Sequence, residues 1–404
     1  MSEYDNGSGK SKVSVVRSDE DVRAAVRRSV DLLGGIGRFV EPGETVLIKP
    51  NLIYPAPPPL TTDPRVTDAV IELVQEAGAG RIIVGEGGAP VPKTMDGFTV
   101  MDAFRKTGTL DICERRGVEV VCLDDEGYEV RTVPDGVIYR DVRLFHSIVR
   151  ADKLISVPVM KTHYDTDVSL GIKCWHGVIA DADKFWKYHR DDINQKLVDL
   201  IRALNPVLTL IDGITAMEGL GPLGGDPLTM NLITASADPL AVDATTARIM
   251  GFDPYEIDHF RIAYQQGVGV MYQREIDVVG EPVERVRREF RKPDYHITGV
   301  YPNVTVIEGA VCRAERCRTR WALDQLHKLG KLADHDWLVI VGRDPYLPPD
   351  PEEFDGKIVI VGSAACYYAR SYRRLPKDKV IWVEGEPPIP VPDWVPSYAN
   401  VHIH

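Results

Sequence analysis

The segment VLIKPNLIYPAPPPLTTDPRVTDAVIELVQEAGAGRIIVGE, residues 46–86, decides the fold. Two short apolar runs at its ends, residues 46–48 and 82–84, are typical of buried strands. Between them Asp63 and Pro64 predict a helix start, because Asp caps helices well and Pro is tolerated in the first turn. Apolar residues then recur at helical spacing until a glycine ends the helix. This order of strand, helix and strand predicts a right-handed crossover between parallel strands.

The same alternation continues along the chain. It predicts further strands at residues 13–16, 118–122, 154–157, 207–211 and 232–235 and helices at 195–204 and 239–250. Residues 18–20 predict a cap before another amphipathic helix, which extends to Leu33. A charged segment between about residues 280 and 301 marks a boundary. Beyond it the pattern predicts strands at 304–307, 338–341, 358–361 and 380–383 and a helix at 319–329. We therefore predict an α/β protein: a mainly parallel sheet covered by helices on both faces at residues 13–280, then a smaller α/β domain at 301–404.

Composition and charge exclude several classes of protein. The chain has 404 residues, a formal net charge of −12 and six cysteines. An acidic chain lacks the basic field that collects nucleic acid, and six cysteines are too few for a disulfide scaffold. No apolar run approaches the ~20 residues that span a bilayer, and residues 1–12 lack the apolar core of a secretory signal. We expect a cytoplasmic protein with a disordered head at residues 1–12 and neither a nucleic-acid nor a membrane partner.

The first candidate site follows the strand at residues 46–48. Lys49 and Asn51 come directly after the strand, and Thr61 and Thr62 precede the next helix. Ligands of α/β sheets bind at the carboxyl ends of strands, and helix N-termini favour anions. These four residues are candidates for binding an anionic ligand, although they could equally fix the loop and cap the helix. Glu86 ends the next strand, where a plain turn is the stronger interpretation.

The densest polar cluster lies in residues 157–177. Lys161 and His163 end a strand, and Lys173 and His176 follow within one short segment that also holds Cys174. Such groups can move protons or form covalent adducts. We expect Lys161, His163 and Lys173 to be catalytic and His176 to bind substrate. Solvated lysines and capping histidines are the alternative.

A glycine-rich loop, DGITAMEGLGP at residues 212–222, begins at another strand end. Several glycines near carboxylates allow the backbone to approach a ligand closely. We expect Glu218 to be catalytic and Asp212 and Gly221 to bind substrate. Asp238, before Pro239, is more typical of an ordinary helix cap.

Six motifs together resemble the domain-of-unknown-function 362 family. They are KPN at 49–51, TTDP at 61–64, VPVMKTH at 157–163, LGIK at 170–173, IDGITAMEGLGP at 211–222 and ASADPLAVDA at 235–244. The resemblance covers about residues 13–255 and implies the domain better than a reaction. Residues 61–88 are also faintly similar to the N-terminal domain of nickel-pincer lactate racemases, but Gly87 and Gly88 stand where those enzymes lead to catalytic histidines.

The family resemblance also implies an iron–sulfur cluster, because members often carry cluster cysteines after the common domain. No C-x2-C-x2-C run is present, so a ferredoxin module is absent. Cys312, Cys317 and Cys366 follow two strands of the small domain, and Glu386 could add an oxygen ligand. We expect these three cysteines to bind metal, as in a 4Fe-4S cluster with three Cys ligands, unless they are buried, unreactive thiols. Arginines nearby could attract an anionic substrate or a redox partner.

Three functional hypotheses follow. The first is a cytoplasmic iron–sulfur enzyme, an oxidoreductase or lyase, acting on an anionic small molecule by redox or open-iron Lewis acid chemistry. The second is a cluster-free isomerase or lyase in which Lys161 or His163 moves a proton. The third is a ligand-binding protein without turnover.

Overall fold

The computed structural model describes residues 9–19, 21–87, 98–180, 192–348, 350–376 and 379–383. They form two compact units that divide between Arg291 and Lys292. Both units combine strands with covering helices, so the predicted α/β class is confirmed. Within these ranges no helix is long and apolar enough to cross a membrane.

The first unit contains most of the described strands and helices. Its strands are β1 (Ser11–Arg17), β2 (Thr45–Pro50), β3 (Arg81–Glu86), β4 (Glu119–Cys122), β5 (Tyr128–Thr132), β6 (Asp141–Phe145), β7 (Lys153–Val157), β8 (Val159–His163), β9 (Asp167–Ser169), β10 (Leu208–Leu220), β11 (Gly224–Ser236) and β12 (Ile276–Gly280). Its α-helices are α1 (Val22–Asp31), α2 (Pro64–Glu76), α3 (Val100–Lys106), α4 (Thr109–Arg116), α5 (His146–Arg150), α6 (Gly171–Cys174), α7 (Ile193–Leu204), α8 (Pro239–Ile249), α9 (Asp258–Gln265) and α10 (Val283–Val286).

The main sheet has the strand order β12-β1-β11-β10-β7-β2-β3-β4, with β8 beside β10 and β9 beside β8. The pairs that include β2, β3, β4 and β7 are parallel, whereas β1 and β10 pair with β11 in antiparallel fashion. β5 and β6 form a separate hairpin. The sheet is therefore mainly parallel, as predicted, and the carboxyl ends of β2, β3 and β7 share one edge.

Helix α2 shows why the sequence folds in this way. The Asp63 carboxylate accepts a hydrogen bond from the Arg65 amide, and Pro64 occupies the first turn. Val66 and Val70 are fully buried in one core cluster with residues of α1 and α4. A second cluster, formed by residues of α7, α8 and α9, includes Leu197. Each of the two apolar cores therefore lies between the sheet and the helices that cover one of its faces.

Three local predictions need correction. Ser11 and Lys12, assigned to a disordered head, belong to β1, where the Ser11 hydroxyl donates to Asp238 and Lys12 pairs with Asp277 of β12. Residues 1–8 of that head lie outside the described residues. Strands β10 and β11 form a hairpin much longer than the strands predicted at 207–211 and 232–235. The sequence pattern did not predict the outer half of this hairpin, because that half has few consecutive apolar residues.

The second unit contains a four-stranded sheet within the described residues. Its strands β13 (Val304–Glu308), β14 (Trp337–Val341), β15 (Lys357–Val361) and β16 (Val380–Val383) are all parallel and lie in chain order. Helix α11 (Arg313–Lys328) begins six residues before the predicted start, because Cys312 accepts the Glu315 amide as the helix cap. Helix α12 (Ser363–Arg370) was not predicted; its eight residues are too few for a clear helical pattern.

Candidate active site

Three lysines of the first unit meet at the carboxyl-terminal edge of the main sheet. Lys49 lies near the end of β2, Lys161 lies in β8, and Lys173 lies in the short helix α6. Lys49 and Lys161 are each only 1% exposed, and Lys173 is half-buried. Their charges act on one another: Lys49 and Lys173 both lower the pKa of Lys161. Buried ammonium groups need partners, so the contacts of each lysine show what it can do.

Lys49 has all of its donors occupied. Its Nζ lies 2.7 Å from Oε1 of Glu86, 3.2 Å from the Pro50 carbonyl oxygen and 3.6 Å from Sγ of Cys174. Burial alone lowers the pKa of Lys49, but its contacts with Cys174 and Glu86 raise it above the ordinary value. An ammonium group has three N–H donors, and here each has an acceptor. Lys49 is therefore a fixed positive charge.

Glu86 is an integral part of this cluster and not a plain turn residue. Its side chain is 2% exposed, and its Oε2 accepts the Leu52 amide at 2.9 Å. Its Oε1 accepts the Gly87 amide at 2.9 Å in addition to the Lys49 ammonium. The sequence did contain a signal for this role: β2 and β3 are adjacent parallel strands, so residues at their carboxyl ends meet.

Among the described residues, Lys161 has two acceptors. Its Nζ donates to Oδ1 of Asn51 at 2.6 Å and to the Leu60 carbonyl oxygen at 3.2 Å. A neutral amine satisfies both acceptors with its two hydrogens and keeps a free lone pair, whereas the ammonium form would leave one buried N–H without an acceptor. Burial, with repulsion from Lys173 and Lys49, lowers its pKa to about 7.

Lys173 differs from both. Within the described part of the chain, its ammonium group has no hydrogen-bond or ion-pair partner. Burial lowers its pKa to about 8, and Lys49 contributes further repulsion, whereas Asp165 and Cys174 oppose the shift. A half-buried ammonium without a protein acceptor is suited to an anionic ligand.

Helix α6, which carries Lys173 and Cys174, is held by Asp243 of α8. The two carboxylate oxygens of Asp243 accept the Gly171 amide at 2.7 Å and the Ile172 amide at 2.9 Å. Asp238 caps α8 by accepting the Leu240 and Ala241 amides, as predicted. The motif at residues 235–244 is thus mainly structural in this chain, although through Asp243 it positions a candidate site residue.

The hydroxyl groups predicted to bind an anion have backbone partners instead. Thr61 Oγ1 donates to the Ala56 carbonyl at 2.7 Å. Thr62 Oγ1 donates to the Val157 carbonyl at 2.7 Å and accepts the Asn51 amide at 2.8 Å. These bonds fix the loop between β2 and α2, which in turn positions the Asn51 side chain against Lys161.

Asp212 and Gly221 also have structural contacts. Asp212 accepts the Asp63 amide at 2.7 Å and the Ile214 amide at 3.0 Å, and burial raises its pKa to about 7. A Cβ atom at Gly221 would lie 2.0 Å from the Thr162 carbonyl oxygen, so close packing explains this glycine.

Glu218 does not join the lysines. Met217 is the residue of β10 that pairs with Lys161 of β8, so the next side chain, Glu218, points to the other face of the sheet. There it accepts the Arg291 amide at 3.0 Å and lies 3.3 Å from the Arg291 guanidinium. Glu218 therefore forms an ion pair with Arg291, away from the three lysines with which it was expected to act in catalysis.

The two histidines have different environments. His163 is 4% exposed, and its Nδ1 accepts the Asp165 amide at 3.0 Å, so its neutral ring carries the proton on Nε2. His176 is half-buried and lies in the same short segment as Lys173 and Cys174. Both remain candidates for contact with a ligand beside the lysines.

The structure gives each of the three candidate metal ligands of the second unit a contact with the backbone. Cys317 Sγ donates to the Asp294 carbonyl, and Cys366 Sγ lies 3.6 Å from the Ile360 carbonyl. Cys312 is exposed and caps α11. No group of three His, Cys, Asp or Glu side chains within the described ranges is arranged to hold a metal ion. Glu386 lies outside those ranges.

Comparison with known proteins identifies the family. The model of the family described as "Domain of unknown function (DUF362)" matches residues 46–248, half of the chain. The chain belongs to this family. Its DUF362 domain includes Lys49, Lys161 and Lys173, and the family expected from the six motifs is confirmed.

One curated relative and two solved structures are similar to this DUF362 protein. "Thylakoid-associated protein sll1697" of Synechocystis sp. is 32% identical over 270 residues, which cover 64% of this chain and 79% of the relative. The lactate racemase apoprotein from Thermoanaerobacterium thermosaccharolyticum has a TM-score of 0.41 at 13% identity, covering 61% of this chain and 59% of that one. A protein from Thermotoga maritima has a TM-score of 0.37 at 10% identity, covering 94% of this chain and 99% of that one.

Proposed function

We propose that the DUF362 domain of this chain is an isomerase or lyase that binds an anionic small molecule and moves a proton with Lys161. The observation that carries this proposal is the pair of acceptors around Lys161 Nζ, Asn51 Oδ1 and the Leu60 carbonyl. They favour a neutral amine in a buried site, and a neutral amine is a general base. A pKa of about 7 is suited to accepting and returning a proton at neutral pH.

The anion would bind beside Lys173. Its ammonium group has no acceptor within the described residues, whereas the positive charge of Lys49 is paired with Glu86. The Lys173 ammonium group would bind a carboxylate or phosphate of the substrate and stabilise the negative charge that develops when Lys161 removes a proton from a neighbouring carbon. His163 and His176 lie in the same segments and are candidates for donating a proton to that developing charge.

The iron–sulfur enzyme hypothesis remains a separate prediction for the second unit. The arrangement of Cys312, Cys317 and Cys366 gives it no support, and no step proposed here depends on a cluster. Iron analysis of the anaerobically purified protein tests it.

Hydrogen exchange tests the proton transfer directly. The protein is incubated in D2O with pyruvate, 2-oxoglutarate, malate and lactate, and the loss of carbon-bound proton signals is followed by NMR. We expect exchange in at least one compound, abolished by Lys161→Met and retained by Lys328→Met, which removes an exposed lysine of the second unit. Exchange that persists in the Lys161→Met protein, or exchange in none of the four compounds, would overturn the proposal.

A further inference from the structure

We infer that Lys161 is also a nucleophile, which forms an imine with the carbonyl carbon of a small 2-oxo carboxylate whose carboxylate binds Lys173. This inference rests on the proposed function, because it uses the same site, and it names the substrate class. It begins from the difference between the three lysines of the cluster.

Lys49 and Lys161 differ in their ability to attack a carbonyl group. Lys49 donates to Glu86, Pro50 and Cys174, so its nitrogen has no free position. The two acceptors of Lys161 hold both hydrogens of a neutral amine and leave its lone pair available. A desolvated lysine beside other cationic groups is the environment that activates a lysine for imine formation. Lys173 and Lys49 provide those neighbouring charges.

The step balances without an oxidant or a reductant. The lone pair of Lys161 Nζ attacks the carbonyl carbon, and the π electrons of the C=O bond move to the oxygen. The two hydrogens of the amine leave with that oxygen as water, and a C=N bond forms. One further proton, from a neighbouring acid, gives the iminium ion, whose single N–H can donate to Asn51 Oδ1. The iminium then withdraws electrons from the adjacent carbon and makes its C–H bond acidic, so in this adduct the proton leaves to a base other than Lys161.

The class of substrate follows from the charges and from the burial. An amine nucleophile requires a carbonyl group, and Lys173 provides a cation that has no acceptor among the described residues. Lys161 is 1% exposed, so the group that reaches it must be small. A compound with a carboxylate adjacent to its carbonyl group satisfies these three requirements, and pyruvate is the smallest ketone of this kind.

Reductive trapping tests this inference on the full-length protein. The protein is incubated with pyruvate and sodium cyanoborohydride, digested and mapped by mass spectrometry. We expect one reduced pyruvyl adduct, located on Lys161 and absent from Lys49. Acetone, which has the carbonyl group but no carboxylate, should label Lys161 at least about tenfold more slowly, because it lacks the charge-assisted contact. Lys173→Met should reduce labelling by pyruvate to the rate seen with acetone.

The position of the adduct is determined in the wild-type protein, so the result does not depend on the folding of a variant. Adducts on exposed lysines alone, or labelling by acetone as fast as by pyruvate, would overturn the inference. Exchange of substrate protons that requires Lys161, without any adduct, would overturn imine formation but would still support Lys161 as the proposed base. Absence of both exchange and adduct would overturn the proposed function as well.

Discussion

Replacing Lys161 with Met should remove a pH dependence of the unfolding free energy. Burial lowers the pKa of Lys161 from 10.5 to about 7, so the unfolded chain binds more protons than the folded chain between these two pH values. The contribution of Lys161 to the unfolding free energy therefore rises with pH across that interval. Below the interval it is constant, because Lys161 is protonated in both the folded and the unfolded chain. For these two pKa values the gain between about pH 6 and about pH 9 is about 3 kcal/mol.

The assay compares urea unfolding of wild-type and Lys161→Met proteins at the two pH values. Tryptophan fluorescence reports the transition, and the fully buried Trp175, next to Cys174, contributes to it from within the site region. The lost hydrogen bonds to Asn51 and Leu60 do not titrate, so they cancel when each protein is compared with itself. We expect the wild-type protein to gain about 3 kcal/mol more than the variant.

Two further variants calibrate this result. Lys173→Met should remove about half as much of the gain, because the pKa of Lys173 is lowered only to about 8. Lys328→Met measures how the loss of one exposed positive charge, by itself, changes the pH dependence of the unfolding free energy. Parallel pH dependence of the wild-type and Lys161→Met proteins would refute the inference that the buried amine is neutral near pH 7.

Gly177→Ala should destabilise the first unit by about 1–3 kcal/mol in urea unfolding, because its Cβ atom would lie 2.8 Å from the Gly87 carbonyl oxygen and 2.9 Å from Oε1 of Glu86. Gly37→Ala is the matched control, since nothing lies within 4 Å of its added Cβ atom, and equal losses would show that close packing is not the cause. The iron–sulfur hypothesis predicts a brown, iron-containing protein under anaerobic purification, with iron lowered by alanine at each of Cys312, Cys317 and Cys366. A colourless protein that takes up no iron on reconstitution would exclude the cluster.

The sequence predicted the edge of the sheet at which the candidate site lies, but not the partners of each side chain there. The apolar runs and the cap at Asp63 were enough to place Lys49, Lys161 and Lys173 after strands, because those patterns are local. The two acceptors of Lys161, in contrast, come from residues 110 and 101 positions earlier in the chain. No periodicity contains that information, so the difference between Lys161 and Lys49 required coordinates.

The placement of Glu218, Thr61 and Thr62 depended on the same kind of information. Glu218 follows a strand-like run, as predicted, yet its direction depends on which residue of β10 pairs with Lys161. A shift of one position reverses the face of the sheet that a side chain occupies. The hydroxyl groups of Thr61 and Thr62 were equally compatible with a ligand or with the backbone, and only the path of the loop decided between them.

The saturated contact between Lys49 and Glu86 has a consequence for ligand affinity. Because this ion pair is buried and its charges cancel, the net charge that an entering anion meets depends on Lys161 and Lys173. An anion that binds nearby favours the protonated form of Lys161, so binding takes up a fraction of a proton from solution near neutral pH. Affinity for the anion should then fall as the pH rises, while the fraction of Lys161 able to attack or to accept a proton increases. The two requirements oppose each other, so the proposed reaction should be fastest at the pH where they balance.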